Sequence, residues 1–111
     1  MKNYYNLFVK FSLQLCTRGD YKNRLRVMAH DVAFEKLRKL QDEMKRDSCS
    51  AEILCMLLNH EDDRVKVNAA SLCLDMNILV NQADIVLKKM METAKDPTMR
   101  FSAKMLLQKY K

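Results

Sequence analysis

Two histidines, four cysteines and fourteen carboxylates are the side chains of this sequence with the types to do chemistry. Catalysis needs a nucleophile beside a base, a set of metal ligands, or a loop that cradles phosphate. Cys55 and His60 stand five positions apart at a helix end, which does not put them on one face. His30 and Asp31 are adjacent and point in different directions. None of Cys16, Cys49, Cys55 and Cys73 forms a C-x2-C pair, and neither histidine completes a four-ligand zinc set. These thiols read as small buried groups in a reducing cytosol. Asp62 and Asp63 are paired carboxylates at a helix N-terminus, where capping and the helix dipole account for them. A single glycine leaves no glycine-rich phosphate loop. No catalytic, metal or cofactor residue is therefore assigned. The expectation is a protein that is not an enzyme, takes no small-molecule substrate, and works by recognition.

The elements that must position any recognising residues are helices. One Gly and one Pro in 111 residues cannot supply the turns of a sheet protein. Nine Met suit irregular helical interfaces. A chain of this length favours one domain, spanning 1–111. Apolar residues step by three and four nearly throughout. Tyr4, Leu7, Phe8, Phe11 and Leu15 predict a first helix over about 2–17. Gly19 suits its C-terminus, and Asp20 can cap the next. Leu25, Met28, Ala29, Val32, Leu37, Leu40 and Met44 predict a long second helix over about 21–46. Further helices follow over about 51–59, 63–79, 82–94 and 97–110. Asn81 and Asp84 resemble a capping box for the fifth, and Asp96–Pro97 caps the sixth. Connections are a few residues long, so neighbouring helices run antiparallel. Lys10 interrupts the apolar opening, and Leu15 precedes Cys16 where a lipid-attachment site wants a small residue, so that opening reads as a helix rather than an export signal. No run approaches the ~18 apolar residues of a membrane span. A soluble cytoplasmic protein that does not enter membranes is expected.

The chain also repeats itself. DDRVKVNAASLCLDM, from Asp62, is answered thirty-four residues later by DPTMRFSAKMLLQKY, from Asp96. Val65, Ala69, Leu72, Cys73 and Met76 form one apolar stripe; Met99, Ala103, Leu106, Leu107 and Tyr110 form the same stripe at the same offset. The preceding helices match more loosely, Ile53 with Leu87, Met56 with Met90 and Leu57 with Met91. The unit is thus a helix pair written twice, over about 48–80 and 82–110, which is the signature of stacked helical hairpins. A small Ala at the centre of each stripe lets two helix axes approach closely.

D-D-R-V-K-x-x-A-A and D-P-T-M-R-x-x-A resemble the second helix of HEAT repeats, with an Asp, often a Pro, an aliphatic, an Arg or Lys, and an Ala. NRLRVMA, from Asn23, is a weaker echo. The tetratricopeptide repeat has the same period, but its Trp/Gly/Tyr pattern is missing. The whole chain is similar to a family of short bacterial HEAT-like proteins of unknown function. The resemblance implies an all-α, HEAT-like α-solenoid of about six helices in stacked antiparallel pairs. It also implies that Asp62, Lys66, Asp96 and Arg100 cap helices and pair between units; the competing reading sets Lys66 and Arg100 on a ligand anion. HEAT-like enzymes that act on DNA bases are longer and use aromatic side chains, which are few here.

Charge bears on the partner. The net charge is +6, with 11 basic and 5 acidic residues in 1–46, 2 and 7 in 47–86, and 7 and 2 in 87–111. The acidic middle argues against one continuous nucleic-acid track. The second helices of HEAT-like pairs line a concave wall. There the polar residues Arg64, Lys66, Asn68, Ser71, Arg100 and Lys104 are the candidate partner-binding set. The function expected from all this is recognition of a protein partner, as an immunity or adaptor protein. Binding of nucleic-acid phosphates by basic helix faces is the alternative.

Overall fold

In a computed structural model the described residues are 3–14, 24–47 and 51–110, with side chains from 32 onward in the second segment. They form six α-helices: α1 Tyr4–Leu13, α2 Arg24–Arg46, α3 Ala51–Leu58, α4 Asp63–Met76, α5 Val80–Thr93 and α6 Pro97–Lys109. No strand occurs among the described residues. The all-α expectation and its six helices hold. The helices group into two compact units, Met1–Cys49 and Ser50–Lys111.

The first unit packs α1 on α2. Asn3 caps α1 by accepting the Asn6 N–H at 3.0 Å. Phe8 and Ser12 are buried on α1; Ala33, Leu37, Leu40 and Met44 are buried on α2 at helical spacing. Tyr4 donates its hydroxyl hydrogen to the Asp47 carboxylate, and the Lys36 ammonium lies 5.9 Å from the centre of the Phe11 ring. The start of α1 thus meets the end of α2 and the end of α1 meets its middle, so the pair is antiparallel. Val32 departs from expectation, at 55% exposed. The buried stripe passes through Ala33 instead, four residues before Leu37, which turns Val32 about 100° off the core. Leu15, Cys16, Gly19, Asp20 and Cys49, and the side chains of Leu25, Met28, Ala29 and His30, lie outside what is described, as does the NRLRVMA echo.

The second unit holds α3 to α6. Asp62 and Asp96 cap α4 and α6, accepting the N–H two residues on at 2.9 and 2.8 Å, and Pro97 occupies the first turn of α6. Each cap satisfies an N–H with no partner inside the helix. α4 ends earlier than the apolar pattern predicts. Asn77 takes φ 56°, and Ile78 N–H reaches Cys73 O at 3.0 Å while Asn77 N–H reaches Leu74 O at 3.2 Å. That is a Schellman closure, with Asn at the left-handed position a glycine usually fills. Leu79 is also left-handed, at φ 50°, and leads directly into α5 without a side-chain cap. The expected Asn81–Asp84 capping box is therefore absent: both residues lie inside α5, and Asp84 pairs with Lys88 at 2.8 Å. Starting at Val80 buries Ala83, Leu87 and Met90 along one stripe.

The repeat holds for α4 and α6 and slips for their partners. Ala69 and Ala103 are both wholly buried. Of the first stripe only Met76 keeps partial exposure; of the second only Ala103 is fully buried. On α3 the buried residues are Leu54, Leu57 and Leu58, whereas Met56 is exposed. Leu87 and Met90 fall thirty-three residues after Leu54 and Leu57, and Met91 is exposed. The expected pairing of Met56 with Met90 and Leu57 with Met91 is thus one residue out. α5 continues three residues past Met90, against one past Leu57 in α3, and the connection after it is one residue shorter, which returns α6 to the thirty-four-residue offset.

Candidate functional site

α4 and α6 lie side by side in the second unit and run in the same direction. Val67, Asn68 and Ser71 of α4 line one groove with Phe101, Ser102, Met105 and Leu106 of α6. One helical turn beyond that groove, Tyr110 donates its hydroxyl hydrogen to the Asp75 carboxylate. Corresponding stretches of the two helices therefore meet: Val67 to Ser71 with Phe101 to Leu106 along the groove, and Asp75 with Tyr110, one position out of register, beyond it.

The groove is mostly apolar. Val67 and Leu106 supply buried and half-buried floor. Phe101 and Met105 stand one turn apart on its wall, 63% and 47% exposed. These two large apolar side chains stand open next to one another, bordered by Asn68, Ser71 and Ser102. Phe101 and Met105 are absent from the polar set expected for this wall. Their signal was nevertheless in the sequence, since neither falls on the stripe of Met99, Ala103, Leu106 and Tyr110. A pair of apolar residues off the core stripe has no core to enter.

The six expected contact residues divide. Asn68 and Ser71 line the groove. Lys104 is exposed beside Met105 on α6. Arg64 lies one turn before Asn68 and is engaged within its own turn: Nε reaches Asp62 Oδ1 at 3.2 Å and Nη2 reaches Asp62 Oδ2 at 3.1 Å. Partial burial pushes the Asp62 carboxyl up, but hydrogen bonds from the Arg64 side chain and N–H, with its charge, hold it below the usual carboxylate range. Arg100 is turned backwards, its Nη1 donating to Ala94 O at 2.6 Å and Lys95 O at 3.5 Å, where it satisfies carbonyls at the end of α5. Lys66 is on another side of α4, lining a second depression with Leu58, Asn59, Asp63, Ile85 and Lys89. Arg100 thus has a structural role within its own helix pair and forms no contact between units in these hydrogen bonds.

The groups with chemical types give no assembled site among the described residues. His60 Nδ1 accepts the Asp62 N–H at 3.0 Å. Cys55 Sγ lies 3.7 Å from Asn59 Nδ2, and Cys73 is buried. No group of three His, Cys, Asp or Glu is placed to hold a metal among the described residues. No described helix is long and apolar enough to cross a membrane. Compared with protein-family models, with curated proteins and with solved structures, the chain finds no match.

Proposed function

We propose that this chain is a non-enzymatic recognition module that binds a protein partner through the face shared by α4 and α6. The observation that carries the reading is the groove with Phe101 and Met105 open to solvent on its wall. A water-facing Phe and Met at adjacent turns gain by being covered, at about 25 cal/mol per Å² of apolar surface removed from water. The HEAT-like solenoid belongs to the same proposal. It is supported by the matched caps at Asp62 and Asp96, the buried alanines at the centre of each stripe, and the parallel course of α4 and α6. The work that suits such a surface is that of an adaptor or an immunity protein. A cytoplasmic setting fits Cys55 and Cys73, neither of which is placed in a disulfide.

The test is recovery of the intact chain from its native host, alongside titration with generic duplex DNA and RNA over a range of salt. The expected result is a stoichiometric protein partner that is lost from Phe101→Ser, with weak duplex binding. A chain that comes away alone and binds duplex with a steep salt slope would replace this reading with phosphate binding.

A further inference from the structure

We infer that the α4–α6 groove receives an acidic amphipathic helix of the partner, with two large apolar side chains one turn apart seated against Phe101 and Met105. This rests on the recognition reading above and adds the chemistry of the occupant.

Size comes first. The lined stretch of α6 runs from Phe101 to Leu106, about 8 Å at 1.5 Å per residue. That length admits two anchors spaced by one helical turn, which is how an amphipathic helix presents i and i+4 side chains to a groove. Met105 supplies a flexible, polarizable wall that suits anchors of varied shape.

Charge decides the rest. From Pro97 to Lys109, α6 carries Arg100, Lys104 and Lys109 and no carboxylate. Lys104 is exposed next to Met105, and the Lys109 ammonium lies 5.2 Å from the centre of the Tyr110 ring at the C-terminal end. Of the acidic residues of α4, Asp63 lines the other depression and Asp75, one turn beyond the groove, accepts the Tyr110 hydroxyl hydrogen, so the cations of α6 outnumber the carboxylates beside the groove. A helix with Glu or Asp flanking its apolar anchors meets complementary charge here. A second copy of this chain does not, because a two-fold contact would set the cationic α6 against itself. Phosphate is a poorer fit as well. The two guanidiniums nearest the groove are engaged, Arg64 by Asp62 and Arg100 by backbone carbonyls, and the centre of the groove is apolar.

The experiment is selection on the intact chain from a displayed library of helical peptides randomised on one face. Recovered peptides are then measured against the wild type, Phe101→Ser and Lys104→Glu/Lys109→Glu; circular dichroism confirms that the variants stay folded. The expected winners carry large apolar residues three or four apart with Glu or Asp beside them. Their affinity falls at least tenfold for Phe101→Ser and for the double charge reversal. Winners that are basic, or that bind Phe101→Ser unchanged, overturn this proposal. So does a selection that recovers nothing. The broader recognition reading survives all three results if a native partner still co-purifies, and falls with this one if none does.

Discussion

Three side chains show how a residue of the expected type can be claimed by its own fold. Arg64 and Arg100 belong to the expected partner-binding set, and Asp75 lies one turn beyond the groove. Arg64 closes on Asp62, Arg100 on the end of α5, and Asp75 on Tyr110. Intramolecular partners are always near at hand, so a charged residue close to a helix end or a neighbouring helix is captured before any ligand arrives. Tyr110 offers a direct measure of such capture. Its hydrogen bond to Asp75, then partial burial and the negative charge of that carboxylate, push the phenol up to about 12. The folded chain therefore holds this proton more tightly than the unfolded chain, whose phenols ionise near 10. The stabilisation is fully present below pH ~10 and is lost as pH rises through about 12. Absorbance titration of the intact chain, with Tyr110→Phe subtracted, should show one phenol ionising about two pH steps late. Asp75→Asn should return it to near 10. A Tyr110 that titrates normally in the wild type would mean that the contact does not persist in solution.

At the scale of the helix, the packing of α6 turns on Ala103. It is wholly buried, and the other members of its stripe are only half-covered. Ala103→Leu should cost about 1–3 kcal/mol by overpacking, read as a drop in the denaturant midpoint with little change in slope. Phe101→Ser, two residues away and open to water, should fall within about 0.5 kcal/mol of the wild type. Equal effects at the two positions would contradict the assigned face of α6. Much at this scale was legible in the sequence. The six helices, the caps at Asp62 and Asp96 and the buried alanines all follow from local chemistry, because periodicity and capping are properties of short stretches. Three features were not legible. The left-handed turns at Asn77 and Leu79 end α4 early and begin α5 early, against a capping pattern at Asn81 that looked adequate by itself. The slip between α3 and α5 hides at the C-terminal end of α5, which runs two residues further past its buried stripe than α3 does, so each helical pattern stays intact by itself. Val32 and Ala33 are both acceptable to a core, and only the packed helix distinguishes them. For the groove, the polar residues of the expected wall are legible by type, whereas Phe101 and Met105 are marked only by falling off the stripe of Met99, Ala103, Leu106 and Tyr110.

For the whole molecule, composition and charge say more about company than about shape. The net +6 is concentrated in the first 46 and last 25 residues, while the middle of the chain is acidic. Proteins so divided attract opposite charges at different places, and electrostatics then governs the rate and choice of encounter more than its strength. On the recognition role proposed above, most of what holds a partner comes from apolar cover, and that cover includes the Met105 thioether. Thioethers age. Met44 and Met90 are sealed inside, while Met56, Met91 and Met105 face the solvent. Mild peroxide should add oxygen to those three before Met44 and Met90, converting each into a polar sulfoxide. Mass spectrometry of timed samples would rank them, and a peptide ligand should be released as Met105 reacts, well before the helical signal fades. Material stored in air would therefore lose its binding while still passing every test for being folded.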